Sequence, residues 1–117
     1  MVEKLRKILE KMINDKGPVT LFATLQMDEL VDKWSVILSA PWAREGDTEI
    51  FTYVKNSVIS QLTEEEINSV ARIGIFPKNA HLIELLLEYP KDSLIEDEKV
   101  NGNLIHKAHI LESNKGI

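Results

Sequence analysis

The two residues most suggestive of chemistry are His106 and His109, three positions apart in the segment LIHKAHILE. On a helix they would share a face and could bind one transition metal, whereas on a regular strand they would point to opposite faces. The β-branched and alternating character of residues 104 to 112 predicts a strand. We therefore expect no metal site at this pair and no bound cofactor.

Carboxylates occur in two runs, at residues 64 to 66 and at residues 92 to 98. The first run follows Thr63 in a capping-box pattern, where acidic side chains favourably face a helix N-terminus. The second lacks the glycine and the ligand spacing of a calcium loop, and we interpret it as an irregular, solvated loop. The sequence has no cysteine, no phosphate-binding glycine loop and no nucleophile-elbow serine. These absences favour a protein without catalytic activity.

The loop WAREGD, residues 42 to 47, is the best candidate for a ligand site. It precedes a predicted helix, and helix N-termini attract anions through their unpaired amides. Trp42, Arg44, Asp47 and Thr48 are therefore candidate binding residues for a small anionic or planar ligand. The alternative is that Trp42 covers the edge of the core while Arg44 pairs with a nearby acid.

A predicted hairpin supplies a candidate interface. In residues 18 to 26 and 33 to 41, apolar residues alternate with small polar ones, and Trp34 falls in step with the apolar set. If the strands pair so that their less apolar sides coincide, one face would contain an apolar patch bordered by hydroxyls, which suits a contact between subunits. Its residues are Phe22, Ile37, Ser35 and Ser39, together with Thr20 and Thr24. The alternative is that one of the chain's own helices covers this face.

The elements that would position these residues follow from periodicity. We predict a helix over residues 2 to 16, the hairpin, a helix from Asp47 or Thr48 to about residue 62, a short helix after Thr63, and strands over 70 to 76 and 104 to 112. Residues 79 to 89 fit either a helix or a strand. The order indicates one α+β domain over residues 1–117, with helix 2–16 as an extension. We expect a mainly antiparallel four-stranded sheet, its strand order open, with the N-terminal helix and two further helices on one face.

The stretch VILSAPW, followed by a polar loop and an amphipathic helix, resembles a group of small uncharacterised prokaryotic α+β proteins. The resemblance covers roughly Val19 to Leu111. It implies a conserved hypothetical protein and brings no catalytic residues to this sequence.

Charge and hydropathy narrow the possible partners. The net charge is −5, with 19 acidic and 14 basic residues, and no basic patch that would indicate nucleic acid as a partner. No apolar run approaches the roughly 20 residues of a membrane helix, and the charged N-terminal segment does not fit a signal peptide. We therefore expect a cytoplasmic protein with no membrane partner. The leading hypothesis is a non-catalytic interaction or regulatory module that forms a homodimer, and the alternative is a small-molecule-binding protein or enzyme with its site at residues 42 to 48.

Overall fold

The computed structural model describes residues 1–27, 33–100 and 102–117. The helices in these ranges are α1 (Val2–Lys16), α2 (Thr48–Ser60), α3 (Glu64–Ser69) and α4 (His81–Leu86). The strands are β1 (Leu21–Met27), β2 (Trp34–Ser39), β3 (Val70–Ile75), β4 (Leu94–Val100) and β5 (Asn103–Ser113). The α+β class is confirmed, and the open choice at residues 79 to 89 falls on the helix, α4.

The strands form one sheet in the order β3-β2-β1-β5-β4. β2 and β3 run parallel, while the other neighbouring pairs are antiparallel. The sheet is thus mixed and five-stranded, and the prediction of four strands was wrong. The additional strand is β4, which we had interpreted as an irregular acidic loop. Its acidic residues 96 to 98 are exposed and only Ile95 and Val100 are buried, so it carries too little apolar periodicity to be recognised.

Helices cover both faces of the sheet, which corrects the prediction that they share one. The first, called here the α1/α2 face, buries Phe22, Val36 and Leu38 beneath α1 and α2 in one apolar cluster. The second, called here the α4 face, buries Ala23 and Ile37 in another cluster with residues of α4. Because the central strands β1 and β2 are buried on both sides, both of their faces must be apolar or small.

Local sequence signals fix the helix boundaries. α1 buries the stripe formed by Leu5, Ile8, Leu9 and Met12 and ends before Gly17, whose φ of 124° suits a residue without a side chain. Thr63 begins α3 through a complete capping box with Glu66, as its sequence predicts. Within the described ranges, no helix combines the length and apolar character required to cross a bilayer.

Candidate interaction surface

The four residues predicted to form an interface are all buried and lie on different faces of the sheet. Phe22 pairs with Leu38, and Ala23 pairs with Ile37. Phe22 therefore lies beneath α1 and α2, while Ile37 lies on the α4 face with its strand neighbours Ser35 and Ser39. Their exposed fractions are 0% for Phe22, 3% for Ile37 and 1% for each serine. The prediction that they share one accessible face was wrong, because alternation gives the period of each strand but not the register between them.

Trp42, the aromatic residue of the predicted ligand loop, contacts the end of α1 and helix α2. Its indole Nε1 donates to the carbonyl oxygens of Gly17 and Pro18 at 3.1 and 3.0 Å. Its ring lies 6.3 Å from the ring of Tyr53 in an edge-to-face arrangement, and the hydroxyl of Tyr53 donates to Asp15 at 3.0 Å. Trp42 thus connects the end of α1 to α2, and its indole N–H is used within the chain.

The rest of that loop caps α2. The Asp47 carboxylate accepts from the amides of Glu49 and Ile50 at 3.1 and 3.2 Å, so these two donors are already bonded to an acid. Asp47 and Thr48 line a small cavity of about 190 Å³, whereas Trp42 is not among its lining residues. Arg44 is exposed. The structure therefore does not bring the predicted residues together at one cavity, and the ligand-binding role of the loop stays a prediction.

The two histidines of β5 have different neighbours. His106 Nδ1 lies 3.3 Å from Asp97 Oδ1, while the His109 ring lies 6.1 Å from the ring of Trp34. Burial lowers the pKa of His109, and the cations Lys107 and Arg6 lower it further. Among the residues that the structure describes, no group of three or more His, Cys, Asp or Glu could hold a metal ion.

The strand alternation assumed for this histidine pair is interrupted. The ladder between β1 and β5 shifts register between Gln26 and Met27. Ile105 and Ala108, three positions apart, are consequently buried in the same apolar cluster. A regular strand would place them on opposite faces, so strand alternation does not establish where His106 and His109 point.

A cavity of about 380 Å³ lies beside α4. The lysine side chains that line it have partners within the chain: Lys115 pairs with Glu88 at 3.3 Å, and Lys78 Nζ donates to the Lys115 carbonyl at 2.6 Å. Mixed charges that satisfy one another do not form a convergent binding site.

The outer edge of β3 is a border of the sheet in the described part of the chain. β3 and β4 are the two edge strands. The amide of Phe76, just beyond β3, donates inward to the Leu38 carbonyl at 2.9 Å. Because backbone groups alternate between the two sides of a strand, Ile73 and Ile75 direct their N–H and C=O groups away from β2. The segment VARIGIF has Arg72 as its one charged residue, so β3 presents a pairing edge with little charge to oppose pairing.

An apolar groove runs beside this edge. A cavity of about 210 Å³ lies between α2, α3 and β3, and the smaller cavity at Asp47 lies near Ile75. Phe51 lines both cavities and is 40% exposed. The lining of the groove comprises Phe51, Lys55, Ile59, Ile67, Val70, Ala71, Arg72 and Ile73. An open sheet edge and an exposed aromatic therefore occur together at one border of the molecule.

The opposite edge, β4, carries the features that discourage strand pairing. Glu96, Asp97 and Glu98 are consecutive and exposed, and Asp97 has a φ of 50°, which distorts the strand. Acidic side chains and local distortion are common protections of edge strands. β4 also carries Leu94, which is 53% exposed, but this leucine is followed by the acidic run.

The β3 edge was not identified from the sequence, because an edge is defined by strand order and the order was left open. The available signal was VARIGIF itself, an apolar β-branched segment with a single charge.

Scans against protein-family models, curated proteins and solved structures found no match to this chain.

Proposed function

We propose that this protein is a non-catalytic interaction module that self-associates through the outer edge of β3. The observation that carries the proposal is the contrast between the two edges. β4 is protected by three consecutive acids and a positive φ at Asp97, whereas β3 has Arg72 as its single charged residue and an exposed phenylalanine beside it. Native sheets normally blunt an edge that is not used for pairing.

The size of a stable interface requires more than the strand. Specific protein–protein interfaces bury about 1,200 Å² or more in total, and a strand of six residues is too short to supply this area alone. Phe51 and the adjoining surface of α2 must therefore join the contact. Aromatic residues are frequent anchors of interfaces. Phe51 lines the groove beside β3 and is 40% exposed, so it is the proposed anchor.

The direct test is sedimentation velocity on the wild type and two matched variants, from low to high micromolar concentration. Phe51→Lys removes the proposed anchor and introduces a charge that would be buried without a partner. Leu94→Lys makes the same change at the exposed leucine of the other edge. We expect a wild-type dimer, a dissociation constant raised about tenfold or more by Phe51→Lys, and little effect of Leu94→Lys.

A wild type that remains monomeric at the highest concentration would refute self-association. A dimer that dissociates in Leu94→Lys and persists in Phe51→Lys would place the contact at β4 instead. Circular dichroism of both variants shows whether each retains the fold, which is expected because both positions are exposed.

A further inference from the structure

We infer that the second copy pairs antiparallel with β3 about a two-fold axis at Gly74, which extends the sheet across both chains. The inference rests on the proposed self-association and specifies its geometry. In this arrangement Ile73 of one copy lies opposite Ile75 of the other, and Arg72 lies opposite Phe76 of the second copy.

The backbone supports this register. Ile73 and Ile75 direct their N–H and C=O groups to the open edge, since the Phe76 amide is bonded inward to Leu38. An axis at Gly74 places Ile73 of each copy opposite Ile75 of the other. Each of these two pairs can therefore exchange two hydrogen bonds. Gly74 then lies opposite Gly74 of the second copy. The two form a non-hydrogen-bonded pair at close spacing, where a glycine adds no side-chain bulk.

The side chains on the α4 face support it as well. Arg72 Nε donates to Ser35 Oγ at 3.0 Å, which places Arg72 on that face. Phe76 folds over Gly74, because a Cβ on Gly74 would lie 2.7 Å from Phe76 Cε2, and Phe76 packs against the cluster of the α4 face. The proposed axis therefore sets Arg72 opposite Phe76 of the second copy on one face of the extended sheet, so no like charges are opposed, and the Arg72 guanidinium keeps its inward contacts with Ser35 and Met27.

Neighbouring registers are less suitable. An axis at Arg72 would set the two guanidinium groups directly opposite each other, and like charges in that relation destabilise a strand pair. An axis at Ile73 would require Ala71 to pair with Ile75 of the second copy. Ala71 is the residue skipped where the ladder to β2 shifts, since Trp34 pairs with Val70 and Ser35 with Arg72. A local distortion of this kind interrupts regular pairing.

A second copy suits this edge better than a β3-to-β4 contact between copies. Pairing β3 with β4 is heterologous and would continue from copy to copy without closing, whereas two-fold pairing closes after two copies. A β3-to-β4 contact would also place the distortion at Asp97 within the shared ladder. The two-fold pairing uses two equal, weakly charged strands and leaves both β4 edges at the outside.

Cysteine cross-linking tests the register, because the chain has no cysteine of its own. Arg72→Cys and Phe76→Cys are oxidised separately and as an equal mixture. In the mixture, the two Cα atoms of a non-hydrogen-bonded pair lie about 4.5 Å apart, within reach of a disulfide. In either variant alone, the two cysteines are offset by four residues along the strand, roughly 13 Å, which is too far. We expect cross-linked dimer from the mixture and little from the separate variants.

Ile73→Cys separates this register from its neighbour. If that variant cross-links efficiently by itself while the mixture does not, the axis lies at Ile73 and our inference is wrong, although self-association would stand. A wild type that sediments as a monomer would instead overturn both proposals.

Amide hydrogen exchange gives a second test, and its main comparison is between concentrations of the unmodified chain. Amide hydrogen exchange of Ile73 and Ile75 should slow at least about tenfold as the wild type dimerises. In Phe51→Lys at the same concentration, this protection should be lost. Exchange at these two amides that does not change with protein concentration would contradict pairing at β3.

Discussion

The burial of Phe22 beneath α1 and α2 leads to a prediction that separates the observed strand register from the one expected from the sequence. Phe22 is completely buried, and it shares its cluster with Leu38 and the apolar stripe of α1. Removing a large aromatic side chain from such a site costs about 3–5 kcal/mol in the free energy of unfolding, since apolar contacts are lost and a cavity remains. The alternative register would place Phe22 on an accessible surface, where truncation would cost far less.

The magnitude is large for a chain of this size. Domains are typically stable by about 5–15 kcal/mol, so Phe22→Ala would remove a substantial part of the total. Phe22→Leu keeps most of the apolar volume and should cost only about 1–1.5 kcal/mol. Phe51→Ala is the matched control at a phenylalanine that is 40% exposed, and its cost should be about 1 kcal/mol or less.

Urea unfolding followed by tryptophan fluorescence measures these differences. It should be run at two protein concentrations, because dimerisation adds a concentration-dependent stabilisation. A loss below about 1 kcal/mol for Phe22→Ala, with an unchanged dependence on urea, would contradict the burial described here. Dissociation of the dimer by Phe22→Leu without loss of stability would favour the alternative register.

Three further changes test individual contacts. Thr24 Oγ1 is buried and has no hydrogen-bond partner among the described residues, so Thr24→Val should raise the free energy of unfolding by about 1 kcal/mol in urea titrations; a clear loss would indicate a hidden partner. The hydrogen bond from Lys4, together with that from the Thr63 backbone, lowers the pKa of Glu66 from 4.5 to about 2. Because the folded pKa lies below the unfolded one, this stabilisation is present above about pH 4.5 and is lost as the pH falls towards about 2. Glu66→Gln should therefore flatten the fall in stability over that interval, and an unchanged profile would show that the contact with Lys4 contributes little. Trp42→Phe should cost about 0.5–1.5 kcal/mol through loss of the indole donor, measured in the same way, and an unchanged stability would contradict its structural role.

The amphipathic elements could be predicted because each one carries its own signal. The stripe of α1, the capping box of α3 and the ends of β2 and β3 were recognisable from spacing, caps and prolines. Trp34 was an exception, because it falls in step with Val36 and Leu38 but is only partly buried. Its position at the first residue of β2, close to His109, explains why alternation overstated its burial.

The properties that depend on pairing could not be predicted. Phe22 and Ile37 were wrongly assigned to one face of the sheet. Both β1 and β2 carry apolar or small residues on both sides, so their sequences do not show which side of each strand aligns with which. Strand β4 was missed because it has too few buried residues. Only Ile95 and Val100 are buried, and the exposed acidic residues 96 to 98 between them resemble a loop. The 42–48 loop was attractive as a site because sequence cannot show that the indole of Trp42 and the amides at the start of α2 are bonded within the chain.

The central ladder joins β1 to β5, and Leu21 pairs with Ser113. During translation, β1 must therefore wait for nearly the whole domain to be made before its β5 neighbour exists. At about 5–20 residues per second, this delay is roughly 5–20 seconds. For most of that time the leucines of β1 on the α4 face lack both β5 and α4, and after α4 has been made they still lack β5. Nascent chains of this protein should consequently be substrates for ribosome-associated chaperones until β5 emerges.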